Sequence, residues 1–220
     1  MISVRIHALL AAAIVAGAAH AQAVAVSEKA GSVARGEDIP ITTASSSART
    51  HFTLGQRLLD VGRPREAREY FRLAVEQDPS FAYGYINLAA AAASAPEFKE
   101  NLDRANASLT GKSDGERLLV EINRTFLDNN AERRVELAEK LVKTHPSSAR
   151  AWIILGNAHG ALNRHEIARK AYSRAIELEP KMFLAQSAAG FSYLFNEPRD
   201  FAKAKWHMEQ AIAADPQEAK

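Results

Sequence analysis

The chain contains no cysteine. Disulfides, thiolate metal sites and a lipid-modified cysteine behind an export signal are therefore excluded. A surplus of charge is missing too: 28 Lys and Arg against 26 Asp and Glu leave a formal +2, with no dense basic run. That argues against nucleic acid as the main partner. Neither a Gly-x-Ser-x-Gly elbow nor a phosphate-cradling glycine loop occurs, and no His-x3-His pair, so the usual frames for nucleophilic, phosphoryl-transfer and zinc chemistry are absent. His159 and His165 stand six apart across a turn, a thin basis for a metal site. Glu132, Glu136 and Glu139 share a charged helix face and read as solvated surface, not as an acid–base pair. No catalytic residue, metal or cofactor is expected. The remote alternative is a hydrolase whose site is assembled from distant residues such as Glu121, Asn123 and His159.

Long apolar runs are also scarce. The longest opens the chain: after Arg5, Ala8 to Ala19 gives 12 uncharged, mostly apolar residues, followed by the small-x-small sequence Ala19-His20-Ala21. Twelve helical residues span about 18 Å, short of a hydrocarbon core of roughly 30 Å. The segment 1–21 therefore reads as an export signal cleaved after Ala21, with Ala21-Gln22-Ala23 as a nearby alternative. An uncleaved anchor and an N-terminal helix of the folded chain are the competing readings. Export without cysteine suits a soluble protein of the periplasm, or one secreted from a bacterium. Residues 22–47, with Gly31, Gly36, Pro40 and the run from Thr42 to Ser47, carry no helical period and read as a flexible linker.

What is present from Ala48 onward is a repeat. Its clearest copy runs Trp152-x2-Leu155-Gly156-x2-His159, then Ala168-x3-Tyr172-x2-Ala175-x4-Pro180. An earlier copy reads Leu54-Gly55-x2-Leu58, then Ala67-x3-Phe71-x2-Ala74-x4-Pro79. Pro146 and Pro180 lie 34 residues apart, Pro180 and Pro216 lie 36 apart, and Pro79 to Pro146 is 67, one short of two periods. A period of this length means stacked helical hairpins, each too small to bury its own apolar face. Ser94-x2-Glu97 and Ser113-x2-Glu116 have the form of capping boxes at helix starts. Five hairpins are expected, at about 48–81, 82–114, 115–148, 149–182 and 183–217. The second and third are irregular: Leu102 and Ala105 are the best matches in one second helix, and Glu121-Ile122 replaces Leu-Gly in the other.

These residues resemble the tetratricopeptide repeat family, over about 170 of 220 residues. The resemblance implies an all-α fold, a right-handed α-solenoid of about five helical hairpins over 48–217. It also implies a concave groove, lined by the first helix of each hairpin, that receives a peptide or a partner's helix. Positions one step beyond the core slots should face that groove: Phe52, Gln56 and Leu59; Ile86 and Ala90; Leu119, Asn123 and Phe126; Ile153 and Asn157; Ser187, Phe191 and Phe195. The amides suit a peptide backbone and the apolar residues suit its side chains. Arg49 and Arg150 are the nearest candidates for gripping a terminal carboxylate, but the neighbouring lysine slots hold Phe52 and Ile153, so that mode is not expected. The expected function is a non-catalytic scaffold or adaptor that binds a protein or peptide partner in the bacterial envelope. The alternative is homo-oligomerisation through the last hairpin, around Phe191, Trp206 and Met208, where no extra polar helix covers the stack.

Overall fold

The structure, a computed structural model, describes residues 38–214. The export-signal segment 1–21, most of the linker and Pro216 lie outside the described residues. Among the described residues ten helices follow one another: α1 (Ser46–Asp60), α2 (Pro64–Gln77), α3 (Ala82–Ala90), α4 (Ala95–Ala107), α5 (Asp114–Leu127), α6 (Ala131–Thr144), α7 (Ala149–Gly160), α8 (His165–Leu178), α9 (Phe183–Phe195) and α10 (Phe201–Ile212). They pair into the five expected hairpins, α1–α2 through α9–α10, and the second helix of each packs on the first helix of the next. The fold is an all-α solenoid. No helix among the described residues is long and apolar enough to cross a membrane.

Local chemistry sets the helix ends. Ser113 and Glu116 form a reciprocal capping box at the start of α5, each side chain holding the other's backbone N–H, so two otherwise free donors are satisfied. At α4, Ser94 caps Glu97, but the Glu97 carboxylate accepts from Ala93 N–H instead and pairs with Arg68 of the preceding hairpin. The expected box is thus half formed, and its acid ties two hairpins together. Gly62 turns α1 into α2 at φ +81, in the left-handed region that favours glycine. The last turn, Asn196 to Asp200, is five residues long against three between α1 and α2, the lengthening read from the sequence.

Within a regular hairpin a glycine lets an aromatic ring approach the first helix. A methyl on Gly55 would stand 2.7 Å from Phe71 Cε1, and one on Gly156 would stand 2.3 Å from Tyr172 Cε1. The third hairpin solves the same problem in reverse. Ile122 lies 34 residues before Gly156 and Ala138 lies 34 before Tyr172, and both are buried. The large side chain has moved to the first helix and the small one to the second, a volume-conserving exchange that cores tolerate well. In the second hairpin, Leu102 and Ala105 are the two buried residues of α4, in agreement with their sequence pattern.

Two features were not expected. The stack is wound tightly enough for α1 to pack against α9, and the Phe183 ring closes on Gly62, where a methyl would meet it at 2.8 Å. The linker, moreover, does not stay loose up to residue 47. From Asp38 the chain is a non-helical strap tied to the starts of α5 and α7 and to the end of α2. Asp38 accepts from Ser148 Oγ at 2.5 Å and from Arg150 Nε at 3.2 Å. Ile39 is buried in the core beside Gly115 and His145. Thr42 donates its N–H to Glu116, its carbonyl accepts from Lys112 Nζ, and Thr43 donates to Asp78. The strap thereby binds hairpins one, three and four together.

Two histidines, His159 buried and His207 half-buried, give the fold a pH dependence. His159 is buried with Nδ1 lacking a partner among the described residues. Burial first, then the Arg164 charge, holds its pKa below the ordinary 6.5, against the opposing pull of Glu139 and Glu132. His207 donates Nδ1–H to Gln186 Oε1 at 2.8 Å, stacks on Tyr193, and is lowered in the same direction by burial and Lys203. The folded chain thus binds these protons less readily than the unfolded chain. The stability they contribute is complete above the unfolded value near 6.5 and is lost as pH falls through the lower folded values. Thermal melts at pH 7.5 and pH 5.5 should show a lower midpoint in acid, with a shallower loss in His159→Phe; equal midpoints would refute this.

Candidate functional site

The inner face of the solenoid carries a pocket of about 410 Å³ that draws on all five hairpins, within the size range of natural ligand sites. Its wall is mainly aliphatic. Leu59, Ile86, Leu119, Ile153 and Leu184 each come from a different first helix or its edge, and Ile122 joins them from α5. The superhelical winding makes it: because α1 reaches α9, side chains from the two ends face one space.

Three asparagines line this space, Asn87, Asn123 and Asn157. Asn87 and Asn123 each donate Nδ2 to the carbonyl four residues back, Tyr83 and Leu119. Their Oδ1 atoms are left as acceptors, held in place by the helix. Asn157 is set the opposite way, since its Oδ1 accepts from Tyr172 Oη at 2.9 Å and its amide N–H groups are left to donate. Burial pushes the Tyr172 hydroxyl up to about 12, which keeps it protonated as that donor. The face therefore offers both acceptors and a donor at separate heights, as an extended backbone requires.

The residues picked out by sequence divide into three groups. Leu59, Ile86, Ala90, Leu119, Asn123, Phe126, Ile153 and Asn157 line the inner pocket. Ser187, Phe191 and Phe195 line an adjoining hollow at the α9 end, which shares Ile153 and Asn157 with the first. Phe52 lies elsewhere. It is fully buried among Phe71, Phe81 and Tyr83, at centroid distances of 5.5, 4.9 and 4.7 Å, and belongs to the core rather than the groove. Gln56 is likewise buried and lines neither hollow. In the first hairpin Phe81 and Tyr83, at the start of α3, close over Phe52.

Sequence reasoning missed Asn87, Arg134 and the setting of Arg150. Arg150 lines the pocket but is committed internally, bridging Asp60 at 2.5 Å and Asp38 at 3.2 Å. Burial opposes its charge, yet the two carboxylates outweigh burial and hold its pKa above the ordinary value. It is not a free clamp for a terminal carboxylate. Arg134 lies 34 residues before Ala168, in the register where the regular hairpins place a small residue; a charge there reads as surface, and in the fold it is buried.

The residues considered for catalysis do not converge. Glu121 faces solvent near Arg133 at 4.0 Å, Asn123 bonds its own helix, and His159 is buried. Glu132 pairs with Arg164 and Glu136 with Arg133 on the outer surface. No group of three or more His, Asp or Glu side chains that could hold a metal occurs among the described residues.

Two tetratricopeptide repeat family models match the chain, over residues 149–182 and 52–116. Anaphase-promoting complex subunit 3 of Schizosaccharomyces pombe is 33% identical over 76 residues, which is 34% of this chain and 11% of that protein. The chain thus spans about a tenth of the length of this curated relative. Among solved structures, a thermophilic tetratricopeptide protein of Thermus thermophilus, TTC0263, is similar with a TM-score of 0.56 and 17% identity, covering 78% of this chain and 93% of that one. YrrB, described as having an unusual peptide-binding site, is similar with a TM-score of 0.43 and 19% identity, over 77% of this chain and 87% of its own.

Proposed function

We propose, since the chain belongs to the tetratricopeptide repeat family, whose fold serves as a protein–protein interaction scaffold, that its inner face holds an extended segment of a partner protein and performs no catalysis. The observation that carries this reading is the apolar pocket reached by all five hairpins and set with Asn87, Asn123 and Asn157. Apolar walls would take side chains, and the oriented amides would take the backbone between them. The export-signal pattern of residues 1–21 supports a place in the bacterial envelope, periplasmic or secreted. The test is a pull-down from envelope extract with the mature chain against Asn123→Arg, which fills the groove with a long charged side chain. A partner retained by the natural chain and reduced at least tenfold by the variant is the expected result. Equal recovery by both would place binding on another surface.

A second reading, association between copies, has its own support. Phe195, Phe201 and Ile212 are each more than 60% exposed at the α9–α10 end, with Phe191 and Trp206 about half exposed. Apolar exposure of this density is what interfaces bury. Light scattering that finds only monomers at high concentration would remove this reading.

A further inference from the structure

Arg134 enters the wall of the inner pocket from the second helix of the third hairpin. It is 8% exposed. Its Nε donates to Thr125 Oγ1 at 2.9 Å and its Nη2 to the Thr125 carbonyl at 3.3 Å. Both partners are neutral, and burial rather than a neighbouring charge dominates its electrostatics. A guanidinium carries five N–H donors, and two are used. The Phe126 ring lies beneath it at 3.5 Å from the centroid, which holds the fork flat and shields one face from water. A buried cation with spare donors is costly unless something pairs with it. Burial lowers its pKa accordingly.

The chain itself shows what such an arginine accepts on this face. Asp38 of the strap seats its carboxylate on Arg150, and Ile39 directly after it enters the core. Arg150 is satisfied by that contact and by Asp60. Arg134 has no counterpart. The space around it also continues in two directions: toward Leu59, Ile153 and Leu184 on one side, and past Phe126 to Phe98 and Ala93 on the other. A bound segment passes Arg134 rather than ending there.

We infer that Arg134 anchors an acidic side chain of the partner segment, a Glu or Asp flanked by apolar residues, through its unused Nη donors. This rests on the inner face being the binding surface. The regular hairpins place Ala67 and Ala168 in the Arg134 register, so the irregular third hairpin is what gives the groove its charge preference. The structural alternative is that Arg134 only closes the C-terminal end of α5.

The test uses three short probes on the mature chain: Ac-Ala-Leu-Glu-Ile-Ala-NH2, its Gln analogue, and the Gln analogue with a free C-terminal carboxylate. NMR titration is expected to show the Glu peptide binding about tenfold or more tighter than the amide Gln peptide, as a charge-assisted hydrogen bond in an apolar site implies. The Arg134 Nε–Hε resonance should move only with the Glu peptide. Arg134→Met should abolish the preference, and Arg134→Lys should restore part of it; melting curves of both check that they fold. Equal binding of the Glu and Gln peptides, no binding of either, or a preference surviving in Arg134→Met would overturn the inference. So would tighter binding of the free C-terminal form, which would assign the subsite to a chain end. Because the groove reading is judged separately by the Asn123→Arg pull-down, it survives any of these outcomes.

Discussion

Replacing Arg150 with methionine should cost about 3–5 kcal/mol of stability, the range for breaking a buried ion pair by removing one partner. The loss comes from what stays behind. Asp60 is buried and its Oδ2 already has no partner among the described residues, so without the guanidinium it becomes an uncompensated charge. Asp38 loses its cation as well and keeps only the neutral donors Ser148 Oγ and Ile39 N–H. Because Arg150 joins α7 to the end of α1 and to the strap, the variant also loosens the contact between the first hairpin and the later ones. For a chain of this size the midpoint should fall on the order of 10 °C. Converting the whole cluster, Arg150→Met with Asp60→Leu and Asp38→Asn, should recover most of the loss, since well-packed apolar replacements of buried ion pairs are often neutral. Circular-dichroism melts of the single and triple variants decide it. A single variant melting within 2 °C of the natural chain would mean that the strap and the α1–α7 tie carry little of the fold.

The second large effect concerns the fourth hairpin. Gly156→Ile should destabilise by about 3 kcal/mol, the upper end of ordinary overpacking, because the new Cβ would stand 2.3 Å from Tyr172 Cε1. Tyr172→Ala should cost about 3–5 kcal/mol through the cavity it leaves. The two together should cost clearly less than their sum, with an interaction of about 2 kcal/mol, in the range measured for contacting residues. The reason lies within this chain: the third hairpin already carries Ile122 and Ala138 in the same registers. Additive losses in a double-mutant cycle would show that the two hairpins reach their packing by unrelated routes.

Fold and site were not equally legible in the sequence. The 34-residue period and the positions of the small residues placed all five hairpins, because helix-on-helix packing leaves a spaced record of which slot must be small. The strap left almost none. Its only trace is the alternation Ile39-x-Ile41 between polar residues, the two-residue period of extended chain, and it is too short to stand out beside Gly36, Pro40 and the serine run. Most groove positions follow from a rotation around the helix, so Leu59, Ile86, Leu119, Asn123, Ile153 and Asn157 fall on the inner face. Phe52 fails the same rule because the rotation assumes an open neighbour, whereas Phe81 and Tyr83 close over it. Arg134 was invisible for a different reason. It lies on a second helix, in an alanine register, where a single arginine is indistinguishable from surface until Thr125 and Phe126 are seen to enclose it.

The proposed function requires the inner face to receive a partner segment. Photo-cross-linking in intact cells tests that most directly, with the reactive residue placed at Asn123 or Asn157 on the inner face and at Glu139 or Lys170 on the exposed outer face. One partner should cross-link from both inner positions, be absent from both outer ones, and be lost when Asn123→Arg accompanies the probe at Asn157. Cross-links from Glu139 or Lys170 with none from the inner positions would contradict it.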